Sequence, residues 1–552
     1  MSRPQPPASP TEAPPPSIWD TLRHPTFRRL WVTSALYFIA NAMHAMAAAW
    51  IMVEHGSSLL AALVQTAVFL PMFVLSLPAG VLADTTDRRR LILAALAVQT
   101  VALLLLALLL LVGWAGPATI LLLTFVTGCC TALLSPAWNS AVGEILPREQ
   151  LPQAIVSMSI AYNAARAVGP TLGGLVYGAV HLMAERSVAG AERAAGVAGG
   201  SVLLLALGGS LALGWAIQKA PPKPHPTSRL PAERLWGGTL AGLRYARHSQ
   251  TILAQLLRTA AYAAAGSALW ALLPAIGAQR LGTGAEGFGL MMGCMGGGAV
   301  AAGLVIGRMR GALGLERLVA WACVVFAAAM VLAALSRWVL PVYAALVAAG
   351  AAWMSVMSTF NTATQTSAPP WVRSRATALH VLSALGSFAL GSALWGAIAG
   401  LLGLQAALLL AAALLLSGML LARSFPLRMG EAHEVTQVPF KALLVADEPN
   451  PDAGPVAVEV IYQIREDAAE AFLAEAEQLR APRQRDGATF WRLYRDLDDR
   501  SRYVERFIVQ SWADYLHQRA RATVADQALK EGLRRFLAEG EVVKIRHYLA
   551  ER

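Results

Sequence analysis

The residues most able to do chemistry in this chain lie inside apolar runs. Arg166 stands in AYNAARAVGPTLGG (161–174), with Asn163 three residues earlier, a spacing that puts amide and guanidinium on one helix face. His44 and His380 occupy other apolar runs, with Asn41 three residues before His44. A guanidinium beside an amide can hold an anion, and an imidazole can carry a proton near neutral pH. The four cysteines, Cys129, Cys130, Cys294 and Cys323, fall in apolar runs and read as small core residues. No metal-ligand cluster, nucleophile constellation or cofactor loop accompanies them. A Walker loop, GxxxxGK(S/T), is also missing, which argues against ATP as the driving force.

The surroundings of these residues decide their role. Of 552 residues, 56% are hydrophobic and 14% charged, against about 25% charged in ordinary soluble proteins; this is a membrane protein. Of its 34 acidic residues, 12 precede residue 431 and 22 follow, so the end of the chain reads as a water-soluble appendix. The formal charge of +11 fits basic loops beside apolar helices. With no DNA- or RNA-binding motif, a nucleic-acid partner is not expected. The start, MSRPQPPASPTEAPPPS, reads as a disordered tail without the apolar core of a secretory signal.

A helix crossing a ~30 Å hydrocarbon layer needs about 20 residues. Apolar runs of that order begin near Leu30, Ser58, Leu91, Pro117, Gln153 and Gly199, then near Thr251, Phe288, Leu318, Leu340, Ala376 and Gln405. The resulting division is a tail (1–20), six spans (21–217), a central linker (218–250), six more spans (251–425), a second linker (426–454) and the appendix (455–552). Between residues 18 and 430, 20 of 26 Lys and Arg fall on the side holding both termini and four on the other. This bias predicts a multi-pass membrane protein with termini, central linker and appendix in the cytoplasm.

Shifting the chain by 222 residues superposes Asn139 on Asn361, Pro147 on Pro369, Gly169 on Gly391, Gly174 on Gly396 and Arg88 on Arg310. Two six-helix halves related in this way predict a binding site between them and alternating access by rocking. The stretch GVLADTTDRRR (80–90) resembles the loop signature of the major facilitator superfamily, GxxxD(R/K)xGRR, at Gly80, Asp84, Arg88 and Arg89, and departs from it at Thr85 and Asp87. The resemblance implies a conformational-switch loop comprising Gly80, Asp84, Arg88, Arg89, Arg90 and Glu144. Asp84 is expected to cap a helix near Ala376, and Arg88 to pair with Glu144 or Asp84; the alternative is that the arginines only set topology. Gly169, Pro170, Gly173 and Gly174 resemble the GPxxGG core of the superfamily's exporter motif, with Ala165 and Val156 in place of its earlier glycines.

Arg166 lies ~20 Å into its span at 1.5 Å per residue, a depth at which a charge faces the bundle interior by default. No Asp or Glu falls at that depth in any span, so an anionic or polyphenolic substrate is one candidate counter-ion. The other reading bonds Arg166 to backbone carbonyls and Asn41. Arg258, two turns into its span, is expected to snorkel to the surface. His44 and His380 are candidates to carry a coupling proton or to be hydrogen-bonded core residues.

In the appendix, VAVEVIYQI alternates as a strand and DAAEAFLAEAEQLRAP follows as a helix. Strands TFWRLYRDL and YVERFIVQSW, helical residues 513–537 and the strand VVKIRHYL complete a β-α-β-β-α-β order, which is ferredoxin-like. It resembles the modules of antibiotic-biosynthesis monooxygenases, which often pair sheet to sheet; the resemblance implies dimerisation or a cytoplasmic partner. His517, Trp491 and Trp512 are capable of chemistry but read as sheet-face core. HPTFRRLW, NAARAVGPTLGG, APPWVRSRATAL, APRQRDGATFW, YVERFIVQSW and HQRARATVAD together resemble the transmembrane secretion effectors, a branch whose relatives include the shorter enterobactin exporter. The expectation is an all-α membrane protein of twelve helices with an α+β appendix. It would export a siderophore-like or antibiotic-like small molecule, driven by protons. Broad multidrug efflux, uptake, and a membrane-tethered enzyme or sensor are the alternatives.

Overall fold

The computed structural model describes residues 18–145, 151–187, 190–219, 235–438 and 449–551. The Pro-rich start lies outside them, as do the side chains of Gly80, Asp84, Arg88 and Glu144, so the proposed Asp84 cap and Arg88 pairing fall outside the described residues.

Twelve helical segments among the described residues are long and apolar enough to cross a bilayer. They are built from α1 (Pro25–Glu54), α2 (Ser58–Thr85), α3 (Arg88–Val112), α4 (Pro117–Ile145), α5 (Leu151–Glu185) and α6 (Ala191–Lys219), then α8 (Gln250–Ala275), α9 (Ala285–Leu313), α10 (Leu315–Leu335), α11 (Val339–Ser367), α12 (Arg373–Leu402), and α13 (Leu404–Gly418) with the short α14 (Leu421–Ser424). The 3.6-residue repeat contributes little to their boundaries; apolar length, caps and breakers set them. Ser57 accepts a hydrogen bond from the Leu60 amide at the start of α2, and Asp87 does the same for the Arg90 amide at α3. Asp87, one of the two residues that depart from the loop signature, is therefore an N-cap. Gly113 ends α3 at φ 82°, a left-handed conformation that suits glycine. Pro274 lies inside α8, and a π-helical segment over Ile276–Leu281 follows it.

The chain forms two compact units. The first comprises Met1–Pro71, Pro78–His225 and Leu273–Val300, so the beginning of α9 clusters with α1–α6. Its core holds Phe27, Leu30, Tyr37, Ile92, Trp138 and Leu213. The second comprises Met72–Leu77, Pro226–Leu272 and Ala301–Arg552, which unites the remaining membrane helices with the appendix.

Two features of the second unit differ from the simple linkers expected at 218–250 and 426–454. The central linker contains α7 (Leu235–His248), whose Tyr245 and Ala246 are buried against Ala368, Val372 and Ala376. After α14, the Gly430 amide donates to Ser367 Oγ at 2.8 Å, and the chain passes through α15 (Ala432–Val435). Gln437 then forms a β-bridge with Thr523 of the appendix.

The appendix contains β1 (Val456–Gln463), α16 (Ala469–Ala476), α17 (Arg480–Asp486), β2 (Phe490–Arg495), β3 (Arg502–Val509), α18 (Trp512–Arg521), α19 (Val524–Gly532) and β4 (Lys544–Leu549). Its antiparallel sheet has the order β2-β3-β1-β4. Alternation in β1 sends Val456, Val458, Val460 and Tyr462 into one core. There Phe472 packs with Tyr462 and Tyr503, ring centroids 5.3 Å apart in each pair. Each such fully buried side chain contributes about 1.5–3 kcal/mol.

Candidate functional site

In the first unit, Arg166 is half-buried and lies 5.9 Å from the centre of the Tyr162 ring, one turn back on α5. Tyr162 in turn meets Phe38 of α1 edge-to-face at 5.2 Å. At this distance the guanidinium is within cation–π range of the ring. Asn163 is half-buried on the same helix.

Asn41 belongs to a neighbouring network. Its amide donates to the Tyr37 carbonyl at 2.9 Å and accepts from Gln99 Nε2 at 2.9 Å. Tyr37 Oη donates to Gln99 Oε1 at 2.9 Å and lies 3.4 Å from Thr131 Oγ1. Buried polar groups without partners are costly in a bilayer, and this ring joins α1, α3 and α4.

The two histidines are also partnered. His44 Nε2 is 3.2 Å from Thr124 Oγ1 in the first unit, and His380 Nδ1 is 3.3 Å from Thr259 Oγ1 in the second. Both are buried. A threonine hydroxyl can donate or accept, so either imidazole can change its proton without losing this bond.

The GPxxGG stretch is a packing device with two faces. A Cβ on Gly169 would stand 2.7 Å from Ala42 Cβ and 2.9 Å from the Ile39 carbonyl of α1; Gly173 faces Met43 of the same helix. A Cβ on Gly174 would stand 2.5 Å from the Ala285 carbonyl and 3.0 Å from Gly289 Cα of α9. Between them, Thr171 Oγ1 donates to the Gly289 carbonyl at 3.2 Å. Small residues let membrane helices approach this closely, and van der Waals packing then holds them.

Of the loop signature's described side chains, Arg89 donates to the Gln218 carbonyl at the end of α6. The repeat-related Arg310 is bound by three hydroxyls of α11, Ser358, Thr359 and Thr362, at 2.8, 3.1 and 3.2 Å. Arg258 does not snorkel. It is 6% exposed and forms a two-pronged pair with Glu316 at 2.6 and 2.9 Å.

The appendix buries a charged cluster. Arg483 pairs with Glu505 at 2.9 Å, and Trp491 Nε1 donates to the same carboxylate at 2.9 Å. Burial opposes ionisation of Glu505, but the Arg483 charge and these hydrogen bonds prevail and hold its carboxyl below the usual range. Arg485 bridges Asp486 and Asp526 at 2.8 and 2.6 Å. The flat faces of two arginines then meet membrane-body aromatics: Arg485 lies 5.6 Å from the Tyr245 ring and Arg521 lies 4.3 Å from the Trp371 ring.

A family model described as transmembrane secretion effector matches residues 16–552. The chain belongs to the transmembrane secretion effector family. It is a multi-pass membrane transporter of the major facilitator type, and its family places it among transporters rather than enzymes. No curated protein matches it at a significant level. Solved structures share its fold at low identity. A bacterial homologue of the human lysosomal transporter Spinster, inward-facing and unoccupied, is 16% identical with a TM-score of 0.55, covering 72% of this chain and 97% of its own. A point variant of the nucleoside transporter NupG is 12% identical (TM-score 0.54; 73% and 100% covered), and a POT family transporter in complex with 5-aminolevulinic acid is 13% identical (TM-score 0.54; 72% and 95%).

In this secretion effector, four of the fragments that carry the family resemblance meet in space. APRQRDGATFW supplies Arg483, Arg485 and Asp486, YVERFIVQSW supplies Glu505, HQRARATVAD supplies Arg521 and Asp526, and APPWVRSRATAL supplies Trp371. Sequence reasoning left three partners unassigned: Thr124, Thr259 and the glycines of α9. For the last, the signal was visible in GFGLMMGCMGGG, where Gly289, Gly293 and Gly296 recur at helical spacing and all press on α5.

Proposed function

We propose that this transporter exports a small organic anion, of siderophore-like or antibiotic-like chemistry, across the bacterial cytoplasmic membrane by alternating access driven by protons. The observation that carries the direction is the exporter-type motif Gly169, Pro170, Gly173 and Gly174, whose glycines lie in the close seams of α5 with α1 and α9, where Thr171 also bonds across to α9. A seam built on glycine contacts can slide with little side-chain rearrangement. Arg166, half-buried at mid-span beside Asn163, is the residue we assign to the anion. His44 and His380 are the proton-carrying candidates, each with a threonine partner that tolerates both protonation states. The arginine bias puts both termini and the appendix in the cytoplasm. The appendix, ferredoxin-like in strand order, serves as an accessory body clasped to α7 and Trp371.

Membrane vesicles of defined sidedness test the direction. With an imposed proton gradient, inside-out vesicles carrying the transporter should accumulate a labelled catecholate siderophore, and a protonophore should abolish the accumulation. Accumulation only in right-side-out vesicles would mean uptake.

A further inference from the structure

A chamber in the second unit is lined by none of the residues assigned to transport. It has a volume of about 430 Å³ and is walled by α8, α10, α11 and the α13–α14 segment, all in the second unit. Its walls are apolar, with Phe360, Cys323, Leu415 and Met419 among them. Around it stand Arg258, Arg317 and Arg423 with Glu316 as the one acid.

The charges are not equivalent. Arg258 and Glu316 satisfy each other, and the Leu427 amide also donates to that carboxylate. Arg317 and Arg423 are exposed and have no acidic partner among the described residues, so the chamber carries two uncompensated positive charges. Tyr262 supplies a different kind of observation. It is 4% exposed, its ring is fixed by Trp353 and Phe326 at 5.3 and 5.9 Å, and its buried hydroxyl has no hydrogen-bond partner among the described residues. A buried donor left open costs free energy unless a ligand supplies the acceptor.

Tyr262 lies one turn beyond Arg258 on α8, about 6 Å further along the helix axis. The set is therefore two exposed cations, an orphan hydroxyl on a wall residue one turn beyond the Arg258–Glu316 pair, and an apolar wall. A water-soluble anion uses only the first of these. We propose that the chamber is a binding site for one anionic membrane phospholipid. Its phosphate lies between Arg317 and Arg423, an ester carbonyl accepts from Tyr262, and an acyl chain covers Phe360 and Met419. Basic pockets between spans at the cytoplasmic face suit such headgroups, and the arginine bias puts this end of the helices there. The site is independent of what the transporter carries.

Native mass spectrometry of the full chain, purified and delipidated in detergent, provides the test. Phosphatidylglycerol and phosphatidylcholine with identical acyl chains are added, with glycerol 3-phosphate as a soluble competitor. One phosphatidylglycerol should be retained in preference to phosphatidylcholine and should resist the competitor. Arg317→Gln with Arg423→Gln should weaken retention roughly 30-fold, from two basic side chains each contributing about 1 kcal/mol beside an anionic lipid. Tyr262→Phe, which removes no existing bond, should weaken retention of both lipids and leave the fold intact. Equal retention of the two lipids by the wild type, unchanged phosphatidylglycerol retention in the double variant, or displacement by glycerol 3-phosphate would each overturn the proposal.

Discussion

The guanidinium of Arg521 lies 4.3 Å from the centre of the Trp371 ring, joining the appendix to the connection between α11 and α12. Arg485, held by Asp486 and Asp526, makes the parallel contact on Tyr245 of α7 at 5.6 Å. Both arginines are buried or nearly so. The appendix is thereby tied to the connection between α11 and α12 and to α7.

Truncating the clasp should loosen the appendix without unfolding it. A double-mutant cycle of Trp371→Leu and Arg521→Met is expected to show a coupling of about 1–2 kcal/mol, the range for a desolvated cation–π pair. Hydrogen exchange of α7 and α17 is the measurement, and faster exchange in each single variant is the expected outcome. Exchange unchanged in both would show that the contact does not hold the appendix.

Lys530 makes the appendix sensitive to alkaline pH. Burial, assisted by the Arg483 charge, lowers its amine from the ordinary 10.5 to about 8. Below pH 8 the folded and unfolded chains are both protonated, and the folded state bears the full penalty. Between about 8 and 10.5 only the unfolded chain binds the proton, so stability rises with pH. Lys530→Met should stabilise the appendix at pH 7 by about 1–3 kcal/mol, with the advantage shrinking toward pH 10.5. Urea unfolding followed by exchange of the β1 and β3 amides measures the gap, and a pH-independent gap would contradict this account.

The seam between α5 and α9 should tolerate no side chain. In Gly174→Ala the added Cβ meets backbone at 2.5 Å, whereas Gly307→Ala adds one into open space. The first should lower stability by about 1–3 kcal/mol or more and reduce flux; the second should be neutral or mildly stabilising. Thermal unfolding in detergent compares them, and equal melting temperatures would remove the packing role assigned to the motif.

Much of the architecture was readable because it depends on apolar length and on repetition. The twelve runs gave the twelve spans, and the 222-residue shift extends to contacts. Gly169 packs on Ala42, while Gly391, 222 residues later, packs on Ala264, which is also 222 residues from Ala42. The strands of the appendix followed from alternation. Partners chosen by three-dimensional proximity were not readable. Arg258 looked free to snorkel because Glu316 lies 58 residues away, beyond the whole of α9. The bond of Asn41 to Gln99 was likewise unreadable because it joins different spans. Helix α7 was hidden because its fourteen residues, half of them apolar, are too short a run to span a bilayer and lie amid polar sequence.

The central claim is that Arg166 holds an anionic substrate. Flux of a labelled catecholate siderophore in proteoliposomes, compared between wild type, Arg166→Lys and Arg166→Ala at matched folding by size exclusion and thermal unfolding, tests it most directly. The account predicts that Arg166→Ala raises KM at least tenfold and that Arg166→Lys recovers part of the loss, because the charge remains but the planar fork does not. Unchanged affinity in a folded Arg166→Ala protein would contradict it and leave the arginine a packing residue of α5.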